Sequence, residues 1–411
     1  MLRWIILLII YVILDLYAFQ AFKTVSKNNW FHLSYWLISI LVVGNFIFNY
    51  YGFNRRDGFS HAHAYAFGFF IAILIPKMIL FIGMFTEDVF RVPQAIYRYF
   101  TEGDVAKGNY FASRRQFISK MALGIAAIPL ASIIYGIYKG KYNFKVLKYT
   151  LTFEDLPSAF DGYKITQLSD IHSGSFDDIE KVKYAVGLVN EQQSDVIVFT
   201  GDMVNNKAEE MLPYLDVFNK LEAKDGKFSI LGNHDYGDYA AWDSETAKHQ
   251  NLEDLKTIQK QIGFDLLLNE SRFLEKNGER IALVGVENWG TGGFKQAGDL
   301  KKASQNIQAN DFKVLMSHDP THWEKKVIQD EYHYHLTLSG HTHGMQFGIE
   351  IPGWFKWSPA KWRYKYWAGI YKEMGQYINV NRGFGYLAFP GRVGIWPEIT
   401  VIELKKGISN T

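Results

Sequence analysis

The chain has 411 residues, 48 % of them hydrophobic, a formal charge of +2 and no cysteine. Without cysteine there is no disulfide framework and no thiolate nucleophile. The near balance of charge, with no extended basic tract outside the membrane-proximal segments, argues against nucleic acid as a partner.

The long apolar runs all lie before about residue 140, so the sequence reads as two parts, 1–140 and 145–408. Runs at 4–21, 33–51, 65–86 and 121–138 each approach the ~20 residues that a helix needs to cross a hydrocarbon layer. They have no amphipathic period, and a single cleaved leader explains too little of them. A membrane domain with four transmembrane helices is expected. Asp15 and Lys77 interrupt the first and third runs, where an ionised group is costly unless it pairs or snorkels; the sequence leaves both readings open.

Orientation follows from Lys and Arg in the loops. The segment between runs three and four carries Arg91, Arg98, Lys107, Arg114, Arg115 and Lys120, against Arg55 and Arg56 in the preceding loop. The longer loop is therefore expected in the cytoplasm, with the amino terminus and the second part of the chain outside. Lys139, Lys141, Lys145 and Lys148 argue the other way. The string Ser113-Arg-Arg-Gln-Phe-Ile-Ser-Lys120 resembles the twin-arginine export motif, although plain positive-inside anchoring explains the same residues. The expected location is a bacterial-type plasma membrane, multi-pass, with the second part extracytoplasmic.

From about residue 145 short apolar strands alternate with charged helical stretches. Strands are predicted at 163–169, 195–200 and 228–231, with helices at 178–191 and 208–221 between them. Further strands are predicted at 281–286, 313–316, 334–338, 377–380 and 399–404, and a charged crossover helix at 245–261. The pattern predicts one layered α/β domain of about 260 residues.

Polar residues that bind metals recur where these strands end. Asp170 and His172 stand two apart and lie on one side of an extended chain, so both can approach one cation. Asp202 follows Gly201 at the end of another strand, and its two oxygens make it the candidate to bridge two ions. Asn233 offers a neutral oxygen, and His318, His341 and His343 offer imidazole nitrogens. Such mixed ligation favours two divalent ions of the Mn, Fe or Zn type over calcium.

The ordered set Asp170-x-His172, Gly201-Asp202, Gly232-Asn-His-Asp235, His318 and Gly340-His-Thr-His343 resembles the calcineurin-like metallophosphoesterase superfamily over roughly residues 160–405. The resemblance implies an α/β fold in which a four-layer β-sandwich flanked by helices carries a dinuclear metal centre, here preceded by the four membrane helices. It assigns Asp170, His172, Asp202 and His343 to one ion, and Asp202, Asn233, His318 and His341 to the other. It also makes His234 a catalytic group and Asp235 the carboxylate that orients it. Two cations about 3.5–4 Å apart activate a bridging water and neutralise phosphoryl charge, and His234 would protonate the leaving oxygen.

Met345 stands where many relatives have glycine, while Asn381-Arg-Gly-Phe-Gly385 and Pro397-Glu398 resemble a membrane-linked branch that includes YaeI-type phosphodiesterases. Arg382 and Arg392 are candidate phosphate clamps, with surface ion pairing the alternative. The stretch from Pro352 to Trp367 concentrates Trp, Phe and Tyr with four basic residues, a composition suited to a lipid headgroup layer. The expected substrate is thus a phospholipid or lipid-linked phosphate carrying a phosphodiester, pyrophosphate or phosphomonoester bond. A soluble small-molecule phosphatase and a nonhydrolytic membrane regulator are the competing readings, and the sequence is silent on oligomeric state.

Overall fold

The computed structural model describes residues 2–54, 58, 60–102, 110–351 and 353–408. These fall into two compact units, one formed by Met1–Phe53 with Ser60–Ile137, the other by Asn54–Phe59 with Tyr138–Thr411. Arg55, Arg56, Lys107 and Pro352 lie outside the described residues, as does the side chain of Arg98.

The first unit is helical: α1 (Leu2–Val25), α2 (Asn29–Tyr50), α3 (His61–Glu102) and α4 (Tyr110–Tyr138). Each contains a stretch long and apolar enough to cross a membrane. Side chains such as Leu8, Leu41 and Ile128 face outward, as expected where the surroundings are as apolar as the core. Inside, Ala18, Ala21, Ala122 and Ala126 pack with Leu80 and Met84, and the small residues let the helices approach closely.

Asp15 and Lys77 pair. Lys77 Nζ lies 2.8 Å from Asp15 Oδ1, and both side chains are buried. Tyr35 and Ser39 of α2 donate to the same carboxylate, while the ammonium donates to Tyr11 Oη at 2.7 Å and Ser39 Oγ at 2.8 Å. The two arginines of the export-like motif are also engaged: Arg115 Nη1 reaches Glu87 at 2.8 Å and Asp88 at 2.5 Å, and Arg114 Nη2 lies 3.3 Å from Glu87. Within this unit they tie α4 to α3.

The second unit is built on two six-stranded sheets. The first comprises β1 (Lys145–Phe153), β2 (Tyr163–Leu168), β3 (Val196–Phe199), β4 (Lys227–Ser229), β5 (Asp265–Leu266) and β14 (Glu398–Lys406), in the order β1-β14-β2-β3-β4-β5. The second contains β6 (Glu270–Lys276), β7 (Glu279–Gly285), β8 (Lys313–Met316), β9 (Leu336–Ser339), β12 (Gly369–Glu373) and β13 (Gln376–Val380), in the order β12-β13-β9-β8-β7-β6. A separate hairpin pairs β10 (Ile349–Ile351) with β11 (Phe355–Trp357).

Strands β2, β3 and β4 run parallel, as do β7, β8, β9 and β13, so their carboxyl ends gather at one edge of each sheet. The sheets pack face to face through Ile165, Val198 and Ile230 of one and Leu283, Val314 and Leu338 of the other. The outer face of the first is covered by α5 (Ile179–Asn190), α6 (Leu215–Phe218) and α7 (Glu245–Ile262), which contribute Val182, Phe218 and Leu255 to a second core. Asp178 caps α5, accepting from the amides of Glu180 and Lys181.

The helix predicted at 208–221 is a 3₁₀ segment, Ala208–Tyr214, followed by the single-turn α6. Pro213 lacks the N–H that a longer α-helix requires there. Polar contacts also cross the apolar sandwich: Gln167 Nε2 on β2 donates to the Ser339 carbonyl on β9 at 2.8 Å, and Asn381 Nδ2 after β13 donates to Thr400 Oγ1 on β14 at 2.9 Å. Asn379 Nδ2 on β13 donates back to Gln167 Oε1 at 2.7 Å.

Candidate metal centre

Beyond their last residues, β2, β3, β8 and β9 release loops at the same edge of the sandwich. The β2 and β3 backbones stay in register, Asp170 N donating to Gly201 O and His172 N to Asp202 O, which brings the two aspartates side by side. Gly201 has φ +95°, and a Cβ there would collide with the Gly232 backbone, so only glycine lets the Asp202 and Asn233 loops approach so closely. The β9 loop closes from the other sheet, with His341 N donating to Asp170 Oδ2 at 2.9 Å.

Two groups of ligating atoms result, each within 4.8 Å of one another: Asp170, His172 and His343, and Asp202, His318 and His341. Asp202 Oδ2 stands between them, 3.1 Å from His318 Nε2 and 3.6 Å from His172 Nε2. Asn233 Oδ1 joins the second group at 2.8 Å from His341 Nδ1. All seven predicted ligands are therefore brought together, with His341 and His343 in different groups. The first group has its aspartate and one histidine from one sheet and His343 from the other; the second draws Asp202 from the first sheet and both histidines from the second.

The atoms fit a pair of cations. Among the described residues buried His172 Nε2 and His343 Nε2 have no hydrogen-bond partner, although Asp170 Oδ1 lies 3.2 Å from the latter, and this is a costly state for a polar atom unless something else binds it. Asp170, His172, Asp202, His341 and His343 all have positive φ, between +47° and +73°, a conformation that L residues avoid and that collects at functional sites. Met345 is at φ +49° and so occupies the backbone conformation that glycine favours. Burial pushes His172 well below the ordinary imidazole range and lowers His341. Burial raises both aspartates, but the neighbouring imidazoles outweigh it and hold Asp170 and Asp202 below the usual carboxylate range. For His318 burial is likewise outweighed, here by the Asp202 and Asp170 carboxylates, and its pKa rises to about 10. The ionised carboxylates and the lowered His172 and His341 match the protonation state that divalent ions require, whereas His318, held protonated by the carboxylates, must release its proton for an ion to bind.

The remote nitrogens of three of the four ligating rings are held, that of His343 by Arg392 Nη2 at 3.1 Å. His318 Nδ1 donates to the Thr200 carbonyl at 2.7 Å. His341 Nε2 lies 3.0 Å from the Tyr364 hydroxyl and 3.4 Å from Asp319 Oδ2, and the Tyr239 hydroxyl accepts from Asn233 Nδ2 at 3.0 Å. Such partners fix ring orientation and basicity. Tyr239, Tyr364 and Asp319 were not singled out by sequence; only Asp319 leaves a local signal, as the cap before Pro320.

Two assignments change. Asp235 does not touch the His234 ring; its carboxylate accepts from the amides of Asp202, Met203 and Gly232 at 2.8–2.9 Å, bracing the Asp202 loop. Burial and the Asp202 carboxylate push Asp235 up to about 7 against these three donors. The His234 ring is oriented by the Asn205 carbonyl, which accepts from Nδ1 at 2.7 Å. Neither Arg382 nor Arg392 is placed to clamp a phosphate. Arg382 is buried between Glu398 and Glu350, at 2.5 and 2.6 Å, and buried Arg392 donates to the carbonyls of Gly385 and Arg382.

A family model described as probable calcineurin-like phosphoesterase, transmembrane domain, matches residues 2–141, and one for calcineurin-like phosphoesterase matches residues 163–345. The chain is 31 % identical over 299 residues to the uncharacterized metallophosphoesterase YkuE of Bacillus subtilis, covering 71 % of this chain and 98 % of that relative. It is 28 % identical to the transmembrane protein with metallophosphoesterase domain of Danio rerio, over 74 % of this chain and 65 % of that one. Phosphodiesterase YaeI of Escherichia coli is 28 % identical over 71 % of this chain and 99 % of its own length. With two ligand groups at the strand ends of a sandwich and four membrane-length helices ahead of it, the chain belongs to the calcineurin-like metallophosphoesterases that carry a transmembrane domain.

Proposed function

We propose that this protein hydrolyses a phosphodiester, pyrophosphate or phosphomonoester bond in a membrane-associated substrate, using two divalent ions of the Mn, Fe or Zn type. The observation that carries this reading is the convergence of seven donor residues, among them buried His172 and His343 nitrogens that face carboxylates yet have no hydrogen-bond partner among the described residues. We assign Asp170, His172, Asp202 and His343 to one ion, Asp202, Asn233, His318 and His341 to the other, and the chemistry to residues 145–408. Residues 1–140 act as the anchor, with the catalytic domain on the extracytoplasmic side.

When bound, the cations would supply Lewis-acid stabilisation of phosphoryl charge and an acidified water. The chain supplies geometry and a proton. His234 lines the cavity and holds Nδ1 against the Asn205 carbonyl, so Nε2 is the nitrogen that would donate a proton to the departing oxygen. His234→Asn should lower turnover about 10²-fold or more with metal content retained; unchanged turnover rejects the acid role.

The membrane-associated substrate is supported by the surface around β10 and β11. Ile349, Trp354, Phe355 and Trp362 are exposed there among Lys356, Lys361 and Lys365, an apolar and cationic mixture suited to a headgroup layer. The segment is tied to the ligand loop, Ser358 Oγ donating to Gly344 O at 2.6 Å and Thr342 Oγ1 to Trp367 O at 2.6 Å. The likeness to a protein named phosphodiesterase supports placement in the YaeI-type branch and favours a diester. The decisive experiment is hydrolysis of a lipid and phosphoester panel by the Mn-, Fe- or Zn-reconstituted protein, with phosphorus products identified. Preference for the soluble headgroup over the micellar lipid would select the small-molecule phosphatase instead.

A further inference from the structure

We propose that Arg363 binds a phosphate oxygen of the substrate, forming an anion subsite beside the candidate centre; this rests on the hydrolase reading for its substrate class but not for its test. A cavity of about 570 Å³ is lined by His234, Tyr239, Phe294, Arg363 and Leu387, among others. The Arg363 guanidinium lies over the Phe294 ring at 5.1 Å and the Tyr364 ring at 5.4 Å from their centroids. The same two rings pack edge-on against His341, with centroids 4.7 and 5.5 Å away. Arg363 is thus separated from the second ligand group by one layer of aromatic side chain.

Its charge is uncommitted. Of the five arginines after residue 138, Arg272, Arg280 and Arg382 are ion-paired and Arg392 is buried against backbone carbonyls. Among the described residues no carboxylate lies within ion-pair distance of the exposed Arg363, and Asp238, which also lines the cavity, is taken by Lys248 at 2.5 Å. A guanidinium whose plane is held by stacking loses little freedom on binding and offers a rigid fork of N–H donors that matches phosphate. Phe294 and Leu387 give the cavity an apolar wall beside that cation. The subsite is therefore suited to a phosphate group with an apolar or aromatic substituent.

The test uses the full-length protein in detergent, loaded with Mn²⁺ and titrated calorimetrically with inorganic phosphate and, separately, with phosphatidic acid in mixed micelles. Arg363→Ala should weaken phosphate binding roughly 10- to 100-fold, the loss of a charged hydrogen-bonded contact, with Mn stoichiometry unchanged. Arg363→Lys should fall between, because charge remains but the fork is lost. In turnover of a phosphoester, the alanine variant should raise KM more than it lowers kcat. Phosphate affinity equal to wild type in Arg363→Ala, a loss matched by loss of Mn, a loss seen with micelles alone, or no phosphate binding by the wild type would each overturn the proposal. A loaded protein that binds phosphate through Arg363 yet hydrolyses nothing would sink the hydrolase reading and leave this one standing.

Discussion

Two regions of the molecule bury charge in opposite ways. Around Asp15 and Lys77 the carboxylate, the ammonium, two tyrosine hydroxyls and one serine hydroxyl bond to one another, on backbone that is helical throughout. Around Asp202 the side chains are buried as deeply, yet among the described residues His172 and His343 Nε2 have no hydrogen-bond partner, and five donor residues sit at positive φ. A polar cluster that satisfies itself has no need of a ligand and serves to fix which helices meet and in what register. One that is gathered at a cost in strain and left unfinished is assembled to hold something else.

This contrast can be broken at several points. The largest effect is expected for Asp202→Asn, which should lower Mn content by at least one ion and reduce phosphoesterase turnover on the order of 10²–10³-fold; full occupancy by elemental analysis would reject its bridging role. In the membrane unit, Lys77→Met should destabilise by about 3–5 kcal/mol in detergent, because Asp15 is left charged and buried, and adding Asp15→Leu should recover most of that loss. Equal melting temperatures for the single and double variants would show that the pair is not what orders the helices. Asp319→Asn should weaken metal affinity about 10- to 100-fold through His341 while leaving thermal stability of the metal-free protein near wild type.

The smallest effect concerns a histidine outside the centre. His335 accepts from Lys313 N through Nδ1 at 2.9 Å, so its proton sits on Nε2, facing Asp155 at 2.6 Å. Burial outweighs Asp155 and lowers its pKa to about 4. The unfolded chain then takes up this proton first as pH falls, so the contribution is complete above about 6.5 and is lost as pH drops toward 4. Stability should fall by roughly 1 kcal/mol from this group by pH 5.5, a slope that His335→Gln should remove from the pH dependence of denaturant unfolding.

The sequence exposed the centre because each ligand follows an apolar parallel strand whose buried run ends abruptly in a polar turn, as at Leu168 to Asp170 or Leu338 to His341. Strands at the sheet edges were hidden. β1 mixes Lys145, Lys148 and Thr150 with apolar residues and buries only its last positions, and β6 and β12 carry charged residues on exposed sides. Partner choice was the other hidden layer. Asp235 follows His234 directly, yet it brackets backbone amides rather than the ring, and the arginines nearest the family-like motif, Arg382 and Arg392, are spent inside the fold. The aromatic stretch before Trp367 offered its basic residues as a group, and only packing on Phe294 and Tyr364 separates Arg363 from the rest.

Since each ligand group takes donors from both sheets, the gap across which the centre forms is the gap between the layers of the sandwich. The carboxamide of Gln167, bonded to Ser339 and Asn379 on the far side, bridges the layers three residues before Asp170 on one strand and two before His341 on the other. The distance between the two halves of each ligand group is thus bridged by side chains that belong to neither group.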